Sequence, residues 1–173
     1  GGCFKGCEKL ESINIPNSVK NIYSEAFYGC SSLKYINIPQ LSTIYEYTFA
    51  NCTALTNISI PDTVTRIEDG AFGHCIGLEN VTIPNSVTYL SGFDGCVFSE
   101  ITIPSGVETI GPHAFQYCEN LTSITIPEGV KYINYQAFDG CAGLSGILNI
   151  PDSVTDLGDQ AFQDCAGLTS INL

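Results

Sequence analysis

Leu121-Thr-Ser-Ile124-Thr-Ile126-Pro127-Glu-Gly-Val130-Lys-Tyr-Ile133-Asn-Tyr-Gln-Ala137-Phe138-Asp-Gly-Cys141-Ala-Gly143 is one clean copy of a unit that recurs along all 173 residues. Reduced to its fixed positions it reads L-x-x-I-x-I-P-x-x-V-x-x-I-x-x-x-A-F-x-x-C-x-x. Working outward, the proline after the last isoleucine recurs at Pro16, Pro39, Pro61, Pro84, Pro104, Pro127 and Pro151, with gaps of 23, 22, 23, 20, 23 and 24. A cysteine follows each by 12 to 14 residues, from Cys30 to Cys165. Self-similarity at a period of 20 to 50 residues is the signature of a stacked-repeat architecture.

The chemistry of the unit predicts its local structure. Ile124-Thr125-Ile126 alternates apolar and polar, the period of a strand with one buried face. Pro127 has no N–H to give to a ladder and ends the strand. Residues such as Asn17, Asp62, Asn85, Glu128 and Asp152 then supply turn chemistry. Val130 and Ile133 are β-branched and predict a second short strand. Phe138 and Cys141 stand three apart, the spacing of a single helical or 3₁₀ turn. One such unit cannot bury its apolar face alone, whereas stacked units cover one another. Like residues therefore pile on like. The expected core is a file of Phe4, Phe27, Phe49, Phe72, Phe93, Phe115, Phe138 and Phe162, flanked by the ladder cysteines and by Leu10, Leu33, Leu55, Leu78, Leu121, Leu144 and Leu168.

The unit, with its I-x-I-P strand and A-F-x-x-C turn, resembles the BspA-like (Treponema-type) leucine-rich repeats. The resemblance covers nearly the whole chain. It implies a right-handed horseshoe solenoid, with a parallel β-sheet on the concave face and short second strands and 3₁₀ or one-turn helices on the convex side. It also implies a cell-surface or secreted protein, in some members one that adheres to host proteins or other cells. Residues 1–173 read as one leucine-rich-repeat domain of about seven repeats of about 23 residues, with both ends falling mid-repeat. No signal peptide opens the chain, and neither end carries a polar cap. Missing flanking residues, or end-to-end pairing of copies, are the two expectations that follow.

Two units depart from the pattern. Between Pro84 and Pro104, Leu90-Ser-Gly-Phe93-Asp-Gly-Cys96 lacks the alanine, and Phe98 stands where leucine belongs; an irregularity on the convex side is expected there. Around Gly146 one extra residue precedes Ile150, which predicts a bulge.

Composition narrows the function. Acidic residues outnumber basic ones 18 to 6, a net charge of −12. That argues against nucleic acid, whose phosphates need Lys and Arg to displace counterions, and against docking on an anionic membrane. No apolar run reaches the roughly 20 residues of a membrane span, so membrane insertion is not expected. The cysteines form one ladder at the repeat period, which reads as small apolar filler with free thiols rather than a disulfide framework; Cys3 takes the place of Ala26, Ala71 and Ala114 and reads as packing too. No cofactor or metal is expected: there is no paired C-x-x-C, no Walker A and no dinucleotide fingerprint. His74 and His113 read as surface residues with no nucleophile beside them. The Asn-x-Ser/Thr triplets at Asn51, Asn57, Asn80 and Asn120 follow from composition.

The outward strand positions are the candidate binding surface: Asn14, Tyr35, Asn37, Asn57, Ser59, Asn80, Thr82, Glu100, Thr102, Ser123, Thr125 and Asn149. The functional expectation is a non-catalytic, adhesin-like interaction module whose partner is a protein or glycan. The alternative is a passive spacer that displays another domain of a longer protein.

Overall fold

The computed structural model describes residues 1–173 as a leucine-rich-repeat solenoid of about seven coils. The inner face of every coil joins one core. Leu33, Leu55, Leu78 and Leu121 are fully buried, as are Val64, Val87, Val107 and Val130. The phenylalanines form the expected single file. Successive rings from Phe4 to Phe162 lie 5.1 to 6.1 Å apart and nearly parallel. Phe98 replaces leucine as expected, with its ring edge-on to Phe93 and Phe115 at 6.2 and 6.4 Å.

Ten short strands pair in parallel: β1 (Ser12–Ile13), β2 (Tyr35–Ile36), β3 (Thr43–Ile44), β4 (Arg66–Ile67), β5 (Tyr89–Leu90), β6 (Thr109–Ile110), β7 (Tyr132–Ile133), β8 (Ser145–Asn149), β9 (Asp156–Leu157) and β10 (Gly167–Asn172). The longest sheet runs β3-β4-β5-β6-β7-β9. It is built from the V-x-x-I segments, expected to be the minor strands. Its ladder is regular: Glu68 N–H donates to Ile44, Ser91 to Ile67, and Asn134 to Ile110, each at 2.9 Å. The I-x-I segments pair only at the two ends, β1 with β2 and β8 with β10, and between these a single bridge joins Ser59 to Thr82. The β8–β10 register shifts between Leu168 and Ser170, so the residue left unpaired is Thr169 on β10, and the bulge expected at Gly146 lies on the partner strand instead.

The expected helical turn is absent, and no helix of the structure is long and apolar enough to cross a membrane. The A-F-x-x-C segment is a chain of hydrogen-bonded turns. Two residues per coil take left-handed backbone angles, such as His113 and Tyr117 at φ 52° and 56°. An α-helix needs an unbroken right-handed run, so this alternation forbids it. It aims N–H groups at the next coil instead: His113 at Tyr135 (3.1 Å), Phe115 at Ala137 (2.8 Å) and Tyr117 at Asp139 (2.7 Å). Nine non-glycine residues hold such angles, each at a cost of roughly 1 kcal/mol that the inter-coil bonds offset.

The short coil meets its constraint with Gly92, at φ 88°. A Cβ there would collide with the Glu68 carbonyl and lie 2.7 Å from the Ala71 nitrogen. Gly92→Ala should therefore cost about 3 kcal/mol, from left-handed strain plus a forced backbone shift. Gly146, at φ 78° with open space around it, carries only the strain, and Gly146→Ala should cost about 1 kcal/mol. Urea denaturation of both variants checks the ranking; equal losses would mean that the coil relaxes around the methyl.

Candidate functional site

Of the twelve outward positions, eleven are exposed and one is not. Asn37 is half-buried and spends its amide on the neighbouring coil. Its Oδ1 accepts from the Ile15 N–H at 2.7 Å, and its Nδ2 donates to the Ile15 carbonyl at 2.8 Å. It replaces a strand pairing and is not a free contact residue. At the other end Asn172 donates to Asn149 at 2.7 Å, leaving both side chains in solvent.

The structure gathers six of the twelve into one place. Asn80, Thr82, Glu100, Thr102, Ser123 and Thr125 line a cleft of about 700 Å³, within the size range of ligand sites. It spans three coils and centres on the short one. Its floor includes Ile103, which is buried, and Val81, Ile101 and Ile124, which are half-buried. Past Asn80 a second depression opens, bordered by Glu79, Ser99, Glu119 and Asn120. Asn14, Tyr35, Asn57, Ser59 and Asn149 lie outside the cleft. The length defect was expected to show on the convex side, among the turns, and there the shortened segment holds Gly92 at φ 88° and Ser91 Oγ donates to the Pro112 carbonyl at 2.6 Å, while the V-x-x-I sheet runs unbroken through β5.

Ser105 also lines the cleft, and Glu79 and Glu119 border the neighbouring depression. These were not among the candidates. Ser105 follows a proline and reads as turn chemistry, and the two glutamates read as scattered surface charge. Only the stacking of coils brings them together.

The remaining reactive groups are structural. Each of the seven ladder thiols, Cys30 to Cys165, donates to the phenylalanine carbonyl one coil back, as Cys118 Sγ does to Phe93 at 3.1 Å. The same Phe93 carbonyl accepts the Cys96 N–H at 3.3 Å. Burial pushes the Cys52 and Cys118 thiols up to about 12, and a thiol held protonated is no nucleophile. Cys3 and Cys7 are exposed, which corrects the expectation that Cys3 packs: no coil covers its side of the first turn. His74 is exposed and lies 3.7 Å from Asp94, whose pKa burial raises. His113 is half-buried rather than on the surface, edge-on to Tyr135 at 5.4 Å. A hollow of about 350 Å³ around Phe4, Ile15 and Val19 is the uncovered inner side of the first coil.

The family model described as BspA type leucine rich repeat region matches six copies over residues 1–92 and 90–173. No curated protein matches the chain. Among solved structures, the leucine-rich repeat protein of T. pallidum is 30% identical with a TM-score of 0.81, over 91% of this chain and 78% of that one. A leucine-rich repeat protein from Bacteroides ovatus is 33% identical with a TM-score of 0.68, over 100% of this chain and 40% of that one. A protein from Faecalibacterium prausnitzii, described as a leucine rich cell surface protein, is 26% identical with a TM-score of 0.63, over 99% and 62%. The chain therefore spans less than two thirds of the length of the latter two.

Proposed function

The chain belongs to the BspA-type leucine-rich repeat family, and on that premise we propose that it is a non-catalytic interaction module, displayed at a cell surface or secreted, which takes a macromolecular ligand, protein or glycan, in the cleft of its I-x-I face. The observation that carries the reading is the convergence of Asn80, Thr82, Glu100, Thr102, Ser123 and Thr125 on one opening of ligand size. Extended sheet surfaces are what solenoids offer to partners. Surface display is supported by the F. prausnitzii relative's description as a cell surface protein. The reading as non-catalytic is supported by the seven ladder thiols, each donating to a backbone carbonyl and held protonated by burial.

The test is a peptide array and a glycan array probed with the chain and with the triple variant Asn80→Ala/Thr102→Ala/Ser123→Ala. The chain is expected to retain a defined set of ligands, and the variant to bind them roughly ten-fold more weakly with an unchanged circular dichroism spectrum. Silence on both arrays would leave the passive spacer as the better reading. Equal binding by the variant would move the site off this cleft.

A further inference from the structure

We infer that the partner is a neutral oligosaccharide that lies along the short coil and stacks one sugar ring on Tyr117; the inference rests on the binding role proposed above and names its ligand class. Three observations carry it.

The first is a continuous trench. The cleft does not end at Asn80. That residue also borders the neighbouring depression, of about 740 Å³. The depression in turn shares Val97, Glu119 and Asn120 with a third, of about 300 Å³. All three are lined by the same three coils. The short coil contributes residues from Gly95 to Ser105, with residues 74–82 on one side and 117–127 on the other. An opening that follows one coil from its turn onto the I-x-I face suits an elongated ligand.

The second is an exposed ring at the turn end of the trench. Tyr117 lines the third depression and is 53% exposed. It holds φ 56° at a column position that the coils before and after fill with Gly95 and Gly140. A bulky side chain is strained in that left-handed region, and glycine is not. Glycine also makes the same inter-coil bond: Gly95 N–H donates to Gln116 at 2.7 Å and Gly140 to Gln163 at 2.8 Å, as Tyr117 does to Asp139 at 2.7 Å. The ring takes no part in the core and leans over Gly140. Strain kept for an exposed side chain that neither packs nor pairs coils is the mark of a contact residue.

The third is the chemistry of the walls. Glu79, Asn80, Ser99, Glu100, Glu119 and Thr122 stand exposed along the trench. Carboxylates, amides and hydroxyls are partners for sugar hydroxyls, and an O–H donating to a carboxylate makes a charge-assisted bond. Among the apolar lining residues Phe98 and Ile103 are buried, and Val97 and Ile101 half-buried. The trench thus has no open apolar socket for the aromatic anchor on which a protein partner relies. From Ile67 to Val130 the chain has no Lys or Arg, so a sulfated or acidic glycan meets no base and is repelled by the glutamates. A neutral sugar takes the hydrogen bonds and lays its C–H face on the negative face of the Tyr117 ring.

The experiment titrates the chain by calorimetry with cellohexaose, mannohexaose and xylohexaose, with the matching disaccharides, with a heparin hexasaccharide and with an alternating Lys-Thr octapeptide. At least one neutral hexasaccharide is expected to bind, and its disaccharide roughly ten-fold more weakly. Tyr117→Gly should weaken binding roughly ten-fold while leaving the melting temperature close to the parent's, because glycine relieves the left-handed angle. Tyr117→Phe should keep binding. Glu79→Gln/Glu119→Gln should weaken it about three-fold. Full affinity in Tyr117→Gly, tighter binding of the heparin fragment, or silence of all three neutral hexasaccharides overturns the inference. Binding of peptides alone, here or on the array, also overturns it, while leaving a binding role for the cleft in place. Silence of every probe here and on both arrays overturns both.

Discussion

Replacing Phe115 with alanine is expected to cost 3 to 5 kcal/mol, the range for truncating a fully buried phenylalanine. The ring has no exposed surface. It stacks on Phe93 at 6.1 Å and on Phe138 at 5.3 Å, and Phe98 meets its edge. One substitution therefore opens both coil interfaces at once. In a solenoid each coil has only its neighbours to lean on, so the loss is not shared with the rest of the core. Phe4 provides the contrast. It is 38% exposed and stacks on Phe27 alone, so Phe4→Ala should cost about 1 kcal/mol. Thermal denaturation of both variants measures the difference. A Phe115→Ala variant as stable as Phe4→Ala would mean that the file is incidental to the stacking.

The order of these effects was legible before any coordinates, because periodicity alone places Phe115 between Phe93 and Phe138. The same holds for the leucine and valine files and for the cysteines. A residue that recurs once per coil must meet its own kind, whatever the details of the turn. What periodicity does not fix is which segment makes the ladder. Ile124-Thr125-Ile126 alternates more cleanly than Val130-Lys-Tyr-Ile133, yet only the latter pairs with both neighbours. Strand propensity reads a single coil, whereas pairing depends on how closely adjacent coils approach, and no position in the unit encodes that spacing. The helical turn failed for a related reason. Phe138 and Cys141 have helical spacing, but the left-handed angles at Gln136 and Gly140 serve bonds to the next coil, such as Gly140 N–H to Gln163.

The candidate site was legible as a stripe and not as a place. Outward positions follow from the strand period, and eleven of them are exposed. Asn37 is the exception because its amide both accepts from the Ile15 N–H and donates to the Ile15 carbonyl, and its identity in the sequence does not say that it does. Asn80, Glu100 and Ser123 come together on three adjacent coils around the short one, and which part of the stripe forms a cleft is not encoded in any single repeat.

The cysteine ladder carries the other large effect, one that depends on pH. In the unfolded chain the thiols titrate near 9.0, whereas in the fold burial raises Cys165 to about 11, Cys52 and Cys118 to about 12, and Cys30, Cys75, Cys96 and Cys141 upward as well. Folded thiols thus keep protons that unfolded ones release. The contribution is fully present below pH 9 and is lost as pH rises from 9 toward 12. A thiol held protonated through the window removes up to about 1.4 kcal/mol per pH unit, so the buried ladder lowers stability steeply as pH rises above 9. Tyr47 and Tyr89, also raised by burial, add in the same direction. The solenoid should therefore lose stability steadily above pH 9, as followed by circular dichroism of denaturant titrations at each pH. Its ladder thiols should stay silent to a disulfide reagent at pH 8 while Cys3 and Cys7 react. Substituting Cys96→Ala/Cys118→Ala isolates the cause. The variant loses some stability at neutral pH, but the slope of stability against pH above 9 should become shallower. A slope unchanged in the variant, or stability level from pH 9 to 11 in the parent, would show that the thiolates are accommodated in the core, and the raised values would then have no bearing on the fold.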